Sequence, residues 1–169
     1  MNQEKRYDFH VHTSYSYDSL TPPKTVVEVA RRRGLDGIAV TDHERVEGAL
    51  AAMEANRDAG FLVIPGIEIK TDIGDVIALY VTENVRSRRF DDVVEEIHQL
   101  GGIACLPHPL RTFGESRSRA IFAERRPLDL WERYNGRYDR RHYAQADRLF
   151  DELDIPGALS GSDAHFPWE

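Results

Sequence analysis

The sequence repeats one pattern four times: an amphipathic helix, a glycine or turn, a short apolar run, and a polar residue able to bind a metal ion. In the first copy VVEVARRRG is followed by LDGIAV, and in the third EEIHQLGG is followed by IACLP. The copies end, in chain order, at Asp42 and His43, at Glu68, at His108, and at Asp163 and His165. Helical spacing that alternates with short apolar runs predicts βα units and a mostly parallel sheet.

Three further apolar segments, RYDFHV, DVIALYV and LDLWERYN, bring the expected number of strands to about seven. This number of alternating units predicts a distorted (β/α)7 barrel. Residues 111–126 are rich in Arg, Ser and Glu, and we expect them to form a surface excursion. Because no linker or low-complexity tract interrupts the pattern, we predict a single domain over residues 1–169.

The composition excludes several classes of protein. No run approaches the roughly 20 apolar residues of a membrane helix, and the N-terminal MNQEKRYDFH lacks the apolar stretch of a signal peptide. The formal charge of -7 disfavours long nucleic acid as a partner, since phosphate binding needs clustered Lys and Arg. The single cysteine, Cys105, cannot form an internal disulfide, in keeping with a reducing cytosol. We therefore expect a cytoplasmic protein that does not bind a membrane.

Potential metal ligands follow the predicted strands, where the loops of a barrel converge on one face. His10 and His12 are two apart in a strand and therefore point to the same side, as two ligands of one metal must. Asp8, just before them, could accept a proton from a ligating imidazole and fix its tautomer. His98 and His142 are expected to face solvent. The candidates at strand ends are His10, His12, His43, Glu68, His108, Asp163 and His165, with Asp18 nearby.

Each motif alone has a simpler interpretation. The Asp42–His43 pair is typical of a helix N-cap with a polar neighbour. Glu68 could be a surface carboxylate, and a histidine between two prolines could belong to a rigid turn. SGSDAH could be an ordinary polar turn. The occurrence of such residues at equivalent positions after several strands favours a metal site.

Imidazole and carboxylate ligands without thiolates suit zinc, manganese or iron. Eight or nine candidates exceed the about four ligands that one zinc ion takes, so we expect two or three ions that share a bridging carboxylate. Such sites form hydroxide near neutral pH and clamp both attacking and leaving oxygens. The sequence therefore predicts a hydrolase that acts through a metal-activated hydroxide.

The segments DFHVHTSYSYDS, TDH, GIE, HP and SDAH, in this order from Tyr7 to His165, resemble the polymerase and histidinol phosphatase (PHP) family of metal-dependent phosphoesterases. The resemblance implies a distorted barrel of about seven strands and a trinuclear metal site. Asn135 matches an asparagine of similar proteins, and its role is open. The resemblance implies a first ion held by His10, His12, Glu68 and Asp163, a second by Glu68 and His108, and a third by Asp18, His43 and His165.

Two features depart from the family pattern. Asp75, in GDVIAL, occupies a position where many relatives have a histidine, so the second ion either gains a carboxylate or loses a ligand. The chain stops four residues after His165, where relatives usually continue with a further strand and helix. We therefore expect a barrel that is incomplete at its C-terminus, or an oligomer in which a partner subunit covers the gap.

Arg111, three residues after His108, is placed to bind phosphate as a charge-assisted fork, with a surface arginine as an equal alternative. Lys70, Arg117 and Arg119 could assist it. We expect the substrate to be a small phosphate monoester or diester, a nucleotide or short oligonucleotide included. The alternatives are a metal-dependent hydrolase of C–N or ester bonds, and a metal-binding domain without catalytic activity.

Overall fold

The computed structural model describes residues 4–124, 128–153 and 157–169, except for the side chains of residues 122 and 123. Strands and helices alternate in these ranges, except that β4 follows β3 directly. The strands are β1 (Tyr7–Val11), β2 (Gly37–Val40), β3 (Leu62–Lys70), β4 (Asp75–Leu79), β5 (Ile103–Leu106), β6 (Leu130–Asn135) and β7 (Ala158–Gly161). The helices are α1 (Pro23–Arg32), α2 (Glu47–Ala55), α3 (Phe90–Gln99), α4 (Pro109–Ala123) and α5 (Arg140–Leu153).

All these strands form one sheet in the order in which they occur in the chain. Strand β4 is antiparallel to both of its neighbours, whereas every other neighbouring pair is parallel. The reversal follows a tight turn in which the Thr71 N–H donates to the Gly74 carbonyl at 3.0 Å. As a result Asp75, the first residue of β4, pairs with Lys70 at the end of β3.

The sheet nearly closes into a barrel, because β1 and the segment after β7 are joined by backbone hydrogen bonds. The Asp163 N–H donates to the His10 carbonyl at 2.8 Å, and the His12 N–H donates to the Ala164 carbonyl at 2.9 Å. Gly161 permits this approach, since a Cβ atom at that position would lie 2.3 Å from His10 Cβ. The predicted barrel is confirmed, with one strand reversed and a short seam between its first and last strands.

The inward faces of the strands enclose a small buried cluster of Ala39, Ile64, Ile77, Leu79, Cys105 and Leu159. Ile64 and Glu68 lie on the same face of β3, because side chains four positions apart in a strand point the same way. Glu68 is therefore located where this apolar interior meets the carboxyl edge of the sheet. A larger cluster packs the helices against the outside, and α3 buries Phe90, Val93, Val94 and Ile97, as its spacing predicts.

Most of the stretch expected to form a surface excursion, residues 111–126, belongs to the helix α4, and its residues 125 and 126 lie outside the described ranges. The helix is kinked at Gly114, whose φ of 68° is outside the helical range. Within the described ranges, none of the helices combines the length and the apolar character that crossing a membrane requires.

Candidate metal centre

The residues predicted as metal ligands surround one cavity at the carboxyl edge of the sheet. His10 is the penultimate residue of β1 and His12 follows that strand, while His43 and His108 come three and two residues after the ends of β2 and β5. The cavity has a volume of about 380 Å³ and is lined by Tyr17, Asp18, His43, Glu68, Asp75, His108, Arg111, Arg137, Asp163, His165 and Phe166. The barrel thus brings together side chains that are far apart in the sequence.

Glu68 lies at the centre of this arrangement and is only 2% exposed. Its Oε1 atom is 3.0 Å from His108 Nε2. Its Oε2 atom is 3.3 Å from Nε2 of both His10 and His12, and 3.2 Å from His43 Nδ1. A parallel bridge between residues 43 and 68 extends the pairing of β2 with β3 and fixes the last of these distances. Because its two oxygens face different imidazoles, Glu68 is suited to bridge two ions.

The tautomer of His10 follows from a buried carboxylate behind it. His10 Nδ1 lies 3.1 Å from Oε1 of Glu132, which is fully buried on β6. An ionised carboxylate can only accept, so Nδ1 carries the hydrogen and donates it. With Nδ1 engaged by Glu132, Nε2 of His10, 3.3 Å from Glu68 Oε2, is the nitrogen that would bind a metal ion.

The tautomer of His12 follows from a longer relay. Ser16 Oγ–H donates to Asp42 Oδ1 at 2.7 Å, so the Ser16 oxygen is free to accept from His12 Nδ1, at 3.0 Å. Asp42 is itself fixed by the backbone N–H and the hydroxyl of Thr13, both at 2.6 Å. With Nδ1 engaged by Ser16, Nε2 of His12 is likewise the nitrogen that would bind a metal ion. Asp42 does not cap a helix, since α2 begins at Glu47 with Val46 as its N-cap residue.

These donor atoms are suited to metal ions. Nε2 of His10 and Nε2 of His12 are only 3.0 Å apart, and when both rings are neutral each of these nitrogens carries a lone pair. Two lone pairs at this distance repel each other, and a cation bound by both nitrogens removes the repulsion. A set of imidazole nitrogens and carboxylate oxygens without thiolate suits zinc, manganese or iron.

The described residues offer three groups whose potential ligand atoms lie within 4.8 Å of one another. The outermost group is joined by Asp18, whose Oδ2 atom is 3.3 Å from His43 Nε2 and 3.1 Å from His165 Nε2. The groups are His10, Glu68 and His108; His10, His12 and Asp163; and His12, Asp18, His43 and His165. Each predicted ligand except Asp75 belongs to at least one of them.

Asp75 lines the cavity, and among the described residues it joins none of the three groups. It reaches the cavity because β4 runs opposite to its neighbours, so that its first residue lies at the carboxyl edge of β3. Burial and the nearby Glu68 carboxylate raise the pKa of Asp75. The structure therefore places Asp75 beside the ligands without bringing it among them.

Arg111 also borders the cavity, and its guanidinium is 3.0 Å from Asp163 Oδ2. Its side chain is 39% exposed, so part of the guanidinium faces solvent. Two of the cations expected to assist it lie elsewhere. Arg119 pairs with Glu152 on α5, and Arg117 lies over the Phe113 ring. Neither of these side chains lines the cavity.

Glu132 is a functional residue that the sequence reasoning missed. Besides accepting from His10, it accepts from the His108 N–H at 2.6 Å and from Asn135 Nδ2 at 2.9 Å. The helper role predicted for Asp8 is wrong, because Asp8 accepts from the backbone N–H groups of residues 10 and 162, whereas Glu132 faces the imidazole. The open role of Asn135 is to hold this carboxylate. The one signal in the sequence was an acidic residue inside the apolar segment LDLWERYN.

Arg137, just after β6, was also missed. Its Nε atom donates to the Asp163 carbonyl at 2.9 Å, and one terminal nitrogen lies 2.9 Å from His165 Nδ1. It therefore gives the cavity a second guanidinium beside Arg111. No spacing or motif in the sequence distinguishes this arginine from others in the same stretch.

The electrostatics of the site favour bound cations. Burial acts to raise the pKa of Glu68, but the imidazoles of His10 and His108 outweigh it, and the pKa lies well below its ordinary value. Burial likewise acts to raise the pKa of Asp163, and His12 and His10 lower it overall. Both carboxylates are therefore ionised in the folded protein at neutral pH.

His98 and His142 lie outside the site, as expected. His98 is exposed on α3 and pairs with Asp129 at 2.8 Å. His142 is partly exposed and pairs with Asp139 at 3.1 Å.

The chain is similar in sequence to known proteins and to a named family model. The family model of the PHP domain matches residues 8–148. The chain belongs to the PHP domain family. Uncharacterized protein MJ1587 of Methanocaldococcus jannaschii is 29% identical over 126 residues, which make up 68% of this chain and 74% of that protein. PHP proteins are metal-dependent, in agreement with the clusters of potential ligands.

Solved structures share the fold of this chain. A two-domain protein from Bacteroides vulgatus, containing a predicted PHP-like metal-dependent phosphoesterase, has a TM-score of 0.79 at 22% identity, over 97% of this chain and 53% of that one. An amidohydrolase from Chromobacterium violaceum, with bound SO4 and no metal, has a TM-score of 0.79 at 17% identity, over 95% of this chain and 87% of that one. The chain thus spans about half of the first protein and most of the second.

Proposed function

We propose that this PHP protein is a metal-dependent phosphoesterase that hydrolyses a small, soluble phosphate monoester or diester. The proposal rests on one observation: potential metal ligands and two arginine side chains border the same cavity. Buried imidazole and carboxylate donors converge on Glu68, and the guanidiniums of Arg111 and Arg137 border the same space. Positive side chains beside a potential metal cluster are suited to bind a negatively charged phosphoryl group.

The residues divide into three binding groups, and we propose two or three zinc, manganese or iron ions for them. When bound, such ions supply a nucleophile near neutral pH and neutralise charge on the phosphoryl oxygens. Glu68 would connect the groups, and its neighbours would be held in place by Glu132 and Asp42. Orientation of ligating histidines by carboxylates is a common device in metal sites.

Arg111 would act on the substrate itself. Its guanidinium contacts only one oxygen of Asp163 and is partly exposed, so other N–H groups remain for a phosphoryl oxygen. An arginine can offer two parallel hydrogen bonds to phosphate, which fixes the orientation of the ester as well as its charge. Lys70, exposed at the end of β3, is the next candidate for this role.

The main alternative is hydrolysis of a C–N or carboxylic ester bond, which the likeness to an amidohydrolase fold keeps under consideration. The two guanidiniums argue for phosphate, because an amide or ester carries no negative charge for them to bind. A metal-binding domain without activity is less well supported, since each of the three groups offers three or four potential ligands without Asp75. The formal charge of -7 argues against long nucleic acid as the substrate.

The test is a substrate series that shares one chromophoric product or a close analogue. The purified protein, supplied in turn with zinc, manganese and iron, is assayed on p-nitrophenyl phosphate, bis(p-nitrophenyl) phosphate, p-nitrophenyl acetate and p-nitroacetanilide. We expect turnover of one or both phosphate esters and little or none of the other two compounds. Turnover of the acetate or anilide alone would instead support the alternative hydrolase, and no turnover by fully loaded protein would support a domain without activity.

A further inference from the structure

Tyr17 stands at the mouth of the metal centre with most of its ring in water. The residue lines the cavity and is nevertheless 85% exposed. One face of its ring stacks on the imidazole of His43, with centroids 4.9 Å apart and an interplanar angle of 18°. Because the contact with His43 uses one face, the exposure of the residue leaves the opposite face open.

A second aromatic surface borders the same side of the mouth. Phe166 lines the cavity, and its ring stacks on Trp168 with centroids 4.9 Å apart and an interplanar angle of 5°. The two surfaces belong to neighbouring segments, because Ser19 Oγ–H donates to the His165 carbonyl at 2.7 Å. Asp18 contacts both His43 and His165, and so connects the segment that carries Tyr17 to the segment that carries Phe166.

These segments hold an unusual share of the exposed apolar side chains. Of the nine large hydrophobic residues that are exposed in the described ranges, four lie between residues 15 and 20 or at residue 168: Tyr15, Tyr17, Leu20 and Trp168. Single exposed hydrophobic residues need no explanation, but a local concentration beside a polar cavity is typical of a binding surface. A ligand that occupies the cavity would therefore meet charge on its floor and aromatic rings at its edge.

We propose that Tyr17 binds, by stacking, a planar ring in the alcohol portion of the substrate, and so selects aryl phosphates and nucleotides over aliphatic phosphates. The inference rests on the proposed function for the phosphoryl end of the ligand. The ring of Tyr17 is already held flat by His43, so it offers a preorganised face to a second flat group. A saturated ring of the same size cannot match that face, which separates stacking from simple apolar contact.

The test uses phosphonates, whose C–P bond is not an ester and stays intact during the measurement. Methylphosphonate, benzylphosphonate and cyclohexylmethylphosphonate are titrated calorimetrically into manganese-loaded protein. We expect benzylphosphonate to bind about three- to ten-fold more tightly than the cyclohexyl compound, the scale of one aromatic pair. Equal affinity of the benzyl and cyclohexyl compounds would overturn the inference.

Variants separate stacking from support of the metal site. Tyr17→Ala should remove the preference for the benzyl compound, leaving methylphosphonate affinity and metal content unchanged, and Tyr17→Trp should keep the preference. Tyr80→Ala is the matched control, since Tyr80 is 49% exposed but follows the reversed strand β4 at the opposite edge of the sheet. If Tyr17→Ala weakens all three phosphonates equally or releases metal, Tyr17 acts by holding His43, and the inference is wrong. If the benzyl preference is present while no phosphate ester is hydrolysed, the inference stands and the proposed function fails.

Discussion

The inner and outer parts of the metal centre hold their ligands in different ways. In the inner part, His10, Glu68 and His108 are each no more than 2% exposed. In the outer part, the side chain of Asp18 is 37% exposed and that of His43 is 19% exposed. His10 is oriented by the buried Glu132, whereas Asp18 extends from a surface loop between β1 and α1.

The inner ligands are therefore more fully preorganised for metal binding than the outer ligands. Ligands that are buried and hydrogen-bonded pay little conformational entropy when an ion arrives, whereas an exposed loop carboxylate must be ordered at that moment. Water also screens the outer charges more effectively than the inner ones. We therefore expect the inner ions to bind more tightly than the outer one, and the outer ligands to adjust more readily to a substrate.

The largest effect is expected where the two parts meet, at Glu68. Glu68→Gln keeps the shape of the side chain but removes the charge that both parts share, so activity should fall by roughly a thousand-fold or more. Metal content, measured by elemental analysis, should decrease in the inner and outer groups together. His98→Ala, on the exposed face of α3, is the control and should change neither quantity. Similar behaviour of the two variants would show that Glu68 is not the bridge.

Variants of Arg111 test whether substrate is bound beside the inner part of the centre. Arg111→Ala should lower kcat/KM for phosphate esters by roughly ten- to a thousand-fold, from the loss of a charge-assisted hydrogen bond and of some transition-state stabilisation. Metal content should not change, because arginine is not a ligand at neutral pH. Arg111→Lys should recover only part of the loss, since the planar fork is gone. Arg119→Ala is the control on the same helix, and an equal effect of both changes would assign the phosphate to another cation.

Glu132 tests the orientation of the inner imidazoles. Glu132→Gln should weaken inner metal binding by about ten- to a hundred-fold, the usual effect of losing a carboxylate behind a ligating histidine. Competition with a chromophoric chelator measures this affinity. Asp129→Asn is the matched control, because Asp129 pairs with a histidine at 2.8 Å on the surface. No difference between the two variants would mean that Glu132 has only a structural role.

The smallest expected effect is the difference in metal affinity between the inner and outer parts of the centre. During titration with a chelator, the outer ion should leave at about ten-fold lower chelator concentration than the inner ions, because two of its ligands, Asp18 and His43, are exposed to solvent. Metal content measured at each step should therefore fall in two phases. Asp18→Asn should remove the first phase and preserve the second. Release of all metal in one phase, from both proteins, would contradict the distinction between the two parts.

The positions of the potential ligands could be predicted because metal chemistry limits both residue type and location. Imidazoles and carboxylates at the ends of buried strands have few structural uses, so His43, His108 and Asp163 stood out from the sequence. Glu132 did not, because a single carboxylate within a strand is ordinary when that strand has a solvated face. Its burial depends on the closure of the sheet, which brings the Glu132 side chain of β6 to His10 of β1, and no local pattern contains that closure.

The direction of β4 escaped prediction for a related reason. A strand has the same period of two whichever way it runs, so apolar residues locate it without giving its direction. The available signal was the short connection between Lys70 and Asp75, since two parallel neighbours need a crossover of about a dozen residues or more. This reversal is what brings Asp75 to the cavity, and it explains why a residue outside the helix–strand pattern lies beside the ligands.

The barrel is closed by the seam between β1 and the segment after β7, so metal binding at this seam would help to keep the barrel closed. There the backbone of residue 163 bonds to that of residue 10, and Ser162 Oγ–H also donates to the His10 carbonyl across 152 positions of sequence. Such distant contacts are entropically costly to form, so we expect this joint to close late and to part early. His10 and Asp163, on its two sides, belong to one ligand group, and an ion shared by them would act as a latch. Loss of metal would then open the barrel along one line, with the remaining strand pairs still in register.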